Sequence, residues 1–186
     1  MPHEPLLRRA AMPAPTRVLG IQLKTYSIGH ELLIQSEDLF PNKMAALVGA
    51  VWICSNSWEE NKRMPRDWLM GLKVKLLKRK VRKYDYETEL AKLAAYRSEG
   101  SVAFPLSEFD SRSGRTPGAP LILQLQQFLM LKFGLSESAA WDYPFGLATQ
   151  RWCSYYEREG GLKIKEQSEI DFMDFVAEQE RRKRDA

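Results

Sequence analysis

The stretch from Ser136 to Gly161, SESAAWDYPFGLATQRWCSYYEREGG, constrains the fold more than any other part of the chain. Phe145, Ala148, Trp152, Tyr155 and Tyr156 recur at spacings of three and four between Pro144 and the Gly160–Gly161 stop, the pattern of a helix that buries one stripe. Strand-like alternation is confined to RVLGIQL near the start and LKIK after the double glycine. The expectation is an all-α, single-domain bundle of about six or seven helices, with room for a minor two-stranded element if those two stretches pair.

The remaining segments fit that reading. Ser27 is placed to cap a helix reaching about Asp38, with Ile28 and Leu32 on one side and Pro41 beyond its end. Asn42 to Ser55 is almost wholly apolar, and its small residues Ala45, Ala46, Gly49 and Ala50 permit close helix approach, so it belongs in the core. Pro65 suits the first position of a third helix carrying Leu69, Leu72 and Leu76, and Glu87 to Arg97 continues as a fourth. Leu121 to Phe133 is apolar on nearly every side, so it is either central or covered by a partner. The last helix, near Ser168 to Arg182, has Ile170, Met173 and Ala177 on one side and Phe172, Phe175 and Val176 on another, more than a surface helix needs. One of its sides is a candidate for contact with another chain.

Prolines at 2, 5, 13 and 15 make residues 1–16 a disordered arm, and the ordered domain is expected over 17–182, followed by a frayed tail at 183–186. Residues 100–120, with three prolines and three glycines, read as a long surface loop. A chain of 186 residues suits one hydrophobic core. No run of about 18 apolar residues is present and the prolines interrupt any leader-like core, which points to a cytoplasmic protein without a membrane segment. Cys54 and Cys153 lie in apolar helical patterns without metal-ligand neighbours, as buried thiols in a reducing compartment would, though a disulfide between them stays open.

Catalytic equipment is sparse. His30 is the only histidine outside the arm, and Leu33 and Ile34 share its side, so a packing role outweighs a hydrolytic one. Asp171 and Asp174 share a helical face, but no carboxylate–His partner motif accompanies them, and acidic residues early in a helix are favoured by its dipole. Phosphate-cradling, dinucleotide and zinc-protease motifs are missing, so the reading is a non-enzyme that asks for no cofactor and no metal. The net charge of +4 is informative only where it clusters, and it does: Lys62 to Lys83 holds ten basic residues against Asp67 alone. In a helix over 66–83, Lys75, Lys78, Arg79 and Arg82 would share a face able to contact phosphates or an acidic protein. With Trp68 the single aromatic in that run, base stacking is thinly supplied, and nucleic acid is the alternative rather than the leading partner.

The order of signals is similar to a family of small proteins from the tail-gene clusters of tailed bacteriophages and prophages. The resemblance is carried by YSIGHELLI at Tyr26 to Ile34, a central helical run, GAP at Gly118 to Pro120 followed by LILQLQQFLM, and the Leu135 to Gly161 stretch leading into the acidic-then-basic final helix. It covers about two-thirds of the chain and includes no catalytic signature. It implies a helical, non-enzymatic tail assembly chaperone or related virion morphogenesis factor in the bacterial cytoplasm, whose protein partner is the long hydrophobic tape measure protein, with an oligomer as an open option. The family-like segments concentrate at Tyr26 and His30 and at Trp152 and Tyr156, which are therefore expected among the partner contacts. Exchangeable apolar faces, seven methionines and five tryptophans suit such a role.

Overall fold

The computed structural model describes residues 14–35, 43–63, 83–102, 106–109, 119–159, 162–165 and 167–184. Among them are eight helices and four short strands, a mostly helical architecture. The chain opens with an antiparallel pair, β1 (Arg17–Val18) and β2 (Ile21–Gln22), joined through Leu19 and Gly20. Both turn residues have positive φ, 52° and 71°, the conformation that matches a two-residue connection to the twist of its strands. A leucine tolerates the left-handed region poorly, so something must hold it. The Leu19 N–H donates to the buried carboxylate of Glu89, and Leu19 itself is fully buried.

Helix α1 (Ile28–Gln35) starts on a reciprocal cap: Ser27 Oγ accepts from the His30 N–H at 3.3 Å, and the Ser27 N–H donates to His30 Nδ1 at 3.2 Å. Histidine takes the role that glutamate holds in the common capping box. Helices α2 (Lys43–Cys54) and α3 (Trp58–Lys62) follow, the second capped by Ser57 and Glu60 in the glutamate form of that box. Asp85 caps α4 (Tyr86–Gly100) by accepting from the Thr88 N–H at 2.9 Å. After β3 (Leu106–Phe109) come α5 (Leu121–Phe133), ended by left-handed Gly134, then α6 (Glu137–Trp141), capped by Ser136. The chain continues through α7 (Phe145–Arg158), β4 (Leu162–Ile164) and α8 (Gln167–Arg184).

Two apolar clusters make up the interior. One gathers Val18, Leu19 and Leu23 with Tyr26, Ile34, the α2 residues Leu47, Val48, Val51 and Cys54, and Leu93 and Tyr96 of α4. The other joins Ile28 to Ile122, Leu125, Phe128 and Leu129 of α5, Ala140 and Trp141 of α6, and Ala148, Trp152 and Cys153 of α7. Helix α1 contributes to both, Ile34 to the first and Ile28 to the second, and Phe145 packs against each. The apolar α2 segment is core, as its composition predicts.

The segments on either side of Tyr26 approach α4 and α7 very closely. The Phe145 N–H donates to the Tyr26 carbonyl at 3.0 Å and the Ile28 N–H to that of Tyr143 at 3.1 Å. A Cβ on Gly100 would collide with the Tyr26 side chain, and one on Gly146 would lie 2.9 Å from the carbonyl oxygens of Gly100 and Val102. Glycine is required at both positions by space, not by φ.

Two strand expectations need correction. RVLGIQL does not pair with LKIK; it folds back on itself as β1–β2. LKI pairs instead with Leu106–Phe109, inside the stretch read as a loop from its proline and glycine content. Leu106, Ser107, Glu108 and Phe109 contain neither proline nor glycine, and the flanking breakers masked a strand too short to show a period. Residues 183 and 184, expected in a frayed tail, belong to α8, which continues to Arg184. The expected arm, apart from residues 14–16, and the basic helix over 66–83, apart from Lys83, lie outside the described residues.

Candidate interaction surface

The residues singled out by sequence separate into interior and surface. Tyr26 and His30, expected among the partner contacts, are 1% and 2% exposed. The Tyr26 hydroxyl donates to the Glu31 carboxylate, and its ring meets Tyr96 edge-on at 5.4 Å and Phe145 at 6.2 Å. His30 is bonded at both nitrogens. Because Nδ1 accepts from the Ser27 N–H, the proton is on Nε2, which donates to the Asn56 carbonyl at 2.8 Å. Burial pushes the imidazole pKa below its ordinary 6.5, against the opposing pull of the Asn56 carbonyl. A neutral imidazole committed to two backbone groups ties α1 to the α2–α3 connection and is not poised to take a substrate proton.

The other polar groups of the interior are structural in the same sense. Glu89 is 2% exposed; burial works against its ionisation, but Lys92, 2.6 Å away, and the Leu19 N–H hold the carboxylate below its usual range. Burial pushes the Cys54 thiol up to about 12 and that of Cys153 up to about 11. Both are free thiols in different apolar clusters, which answers the open question of a disulfide between them. Among the described residues no three His, Cys, Asp or Glu side chains gather as a metal site would require.

Trp152 is 7% exposed and belongs to the second cluster, while its neighbour Tyr156, ring centroids 4.7 Å apart, is 39% exposed. Of the expected aromatic pair, only Tyr156 reaches the surface. It borders a band where cations lie on aromatic faces: Lys132 over Tyr155 at 4.7 Å, and Arg151 over Phe133 at 4.9 Å and Tyr143 at 5.4 Å. These contacts spend the cations on the protein's own rings and partly shield them from water. Lys75, Lys78, Arg79 and Arg82 lie outside the described residues.

The surface that sequence reasoning located most clearly is α8. Phe172, Met173, Phe175 and Val176 are 66%, 52%, 60% and 38% exposed, and α8 packs extensively against no other described element. The Lys165 ammonium group lies 3.1 Å from the Met173 sulfur. Asp171 and Asp174 are on the exposed helix too. A second set of exposed apolar side chains lies on α5, where Ile122, Leu125, Phe128 and Leu129 face inward and Leu121, Leu123, Leu131 and Phe133 do not. Of the two openings left by sequence, central helix or partner-covered helix, α5 has one buried side, with Leu123 and Leu131 exposed on the other and Leu121 and Phe133 exposed at its ends. Four large apolar side chains exposed together on α8 mark a candidate contact surface, since covering each contributes up to roughly 1.5–3 kcal/mol. No helix among the described residues is long and apolar enough to cross a membrane.

No family model, curated protein or solved structure matches the chain.

Proposed function

We propose that this protein works by binding another polypeptide, as a tail assembly chaperone or related phage or prophage morphogenesis factor that holds the tape measure protein before assembly. The observation that carries the reading is the exposed Phe172, Met173, Phe175 and Val176 stripe of α8. An amphipathic helix that packs extensively against no other described element is suited to lay its apolar side against a groove or helix of a partner. The commitment of His30 to Ser27 and Asn56 supports a non-enzymatic role, because the histidine a hydrolase would use is spent on structure. The exposed side of α5, with Leu131 82% exposed, offers additional area for a long helical client.

Co-expression with the tape measure protein encoded nearby tests the reading. The expected result is a rise in the soluble fraction of that partner and co-elution on size exclusion. Unchanged aggregation of the partner contradicts it. Retention of nucleic acid with a steep salt slope, lost on changing Lys75, Lys78 and Arg82 to Glu, would favour the basic segment over 66–83 instead.

A further inference from the structure

We infer that Met173 is a reversible oxidation site, where a peroxide turns the apolar stripe of α8 polar and the Lys165 ammonium group assists the step. The chemistry is independent of any client, and only its consequence for one rests on the reading of α8 as the binding helix. Met173 is 52% exposed within that stripe, with Ile170 one turn before it and Val176 one turn after it on the same side of the helix. The other methionines among the described residues are less open. Met44 is half-buried against the first apolar cluster and Met130 against the second.

Met130 and Met173 each have a donor at the sulfur, and the donors differ in kind. At Met130 it is the neutral amide of buried Gln126, 2.8 Å away. At Met173 it is a cation, the Lys165 ammonium group at 3.1 Å, beside a sulfur that a small oxidant in water can reach. A thioether is a weak acceptor, so moving this donor off the sulfur costs little. In the oxidation the sulfur lone pair attacks one oxygen of hydrogen peroxide. An S–O bond forms as the O–O bond breaks, and the departing hydroxide takes the proton that the transferred oxygen loses and leaves as water. Sulfur is oxidised by two electrons and the peroxide is reduced. Negative charge develops on the departing oxygen, so a cationic donor within reach stabilises the transition state more than the starting thioether. The product is polar and chiral, and it disrupts apolar contact surfaces until a methionine sulfoxide reductase returns it to the thioether.

Peptide mapping by mass spectrometry of the full chain, over a time course in hydrogen peroxide, tests the site. Met173 sulfoxide should form ahead of that at Met44 and Met130. Lys165→Leu should slow Met173 oxidation about fivefold, the scale of one net hydrogen bond, and Lys165→Arg should restore it by keeping a cationic donor. Met44 and Met130 are the internal standard, since a variant that loosened the fold would speed both. The two reductases, one for each sulfoxide epimer, should regenerate Met173 in the folded protein. Oxidation of Met173 no faster than that of Met44 and Met130 overturns the inference, as does a Met173 rate that Lys165→Leu leaves unchanged or raises, or a sulfoxide the reductases leave in place.

The consequence is read with protein that has been treated, freed of peroxide and mixed with tape measure protein diluted from urea. Treatment should lower the fraction of client kept in solution by the wild type, while for Met173→Leu the treated and untreated samples should match each other. An equal loss in Met173→Leu overturns Met173 as the residue that alters the α8 surface. Untreated wild type that leaves the client aggregated removes the proposed function, and the sulfoxide rates still decide the site.

Discussion

The Nε2 of His30 donates to the main-chain carbonyl of Asn56 at 2.8 Å while its Nδ1 accepts from the Ser27 N–H, so one neutral ring joins two segments 26 residues apart. A proton added to Nδ1 removes the acceptor that Ser27 needs. Since burial lowers the pKa in the folded state, unfolding takes up a proton near pH 6.5. His30 therefore contributes its full stabilisation above that pH, and the contribution is lost as pH falls below it. Urea midpoints at pH 7.5 and 5.5 should show a clear decline for the wild type and a smaller one for His30→Gln. Equal slopes for the two proteins would contradict the assignment.

Glu89 acts at lower pH. Its carboxylate is held below the ordinary range, so its contribution is present above pH 4.5 and lost as pH falls further. Glu89→Ala leaves the Leu19 N–H without its acceptor beneath a strained turn, and should cost roughly 1–3 kcal/mol in urea unfolding at pH 7. A neutral substitution would mean that the hairpin is held by something else.

Gly100 meets Tyr26 at a distance no Cβ tolerates. Gly100→Ala should destabilise by roughly 1–3 kcal/mol through overpacking. Gly134 is a control with a different cause: nothing lies within 4 Å of its Cβ position, but its φ is 65°. Gly134→Ala should cost about 1 kcal/mol, from conformation alone. Comparable tolerance at both sites would remove the close approach of α4 to the Tyr26 segment from the account.

Thiols pushed up to about 12 and about 11 remain protonated at pH 8. Native protein should react with a disulfide reagent far more slowly than protein in urea, where both cysteines titrate at once. Fast labelling of one thiol in the native state would place it at the surface.

Periodicity made most of the helices legible. The α2 segment is almost wholly apolar and is core, and of the α7 stripe Ala148 and Trp152 are buried, Phe145 and Tyr155 are half-buried and Tyr156 is exposed. Breaker residues marked the right boundaries at Pro144 and Gly134. Local signals failed where pairing is non-local. The partner of Leu162–Ile164 is more than fifty residues away in sequence, and four residues among prolines and glycines show no period. Of the nominated contacts Tyr26, His30, Trp152 and Tyr156, only Tyr156 is exposed. Motif density marked Tyr26 and His30, but aromatic and capping residues of a core are as dense as those of a surface, and only tertiary packing separates them. The two-sided apolar pattern of α8 was visible because charge and apolar positions alternate there without an intervening core.

The most direct measurement is the soluble fraction of the tape measure protein co-expressed with the wild type and with a Phe172→Ser, Phe175→Ser variant. Both side chains are exposed, 66% and 60%, so the variant should match the wild type in Tm. The account predicts that the wild type keeps the client in solution and that the variant, folded and equally abundant, does not. A variant that protects the client as well as the wild type does would contradict it.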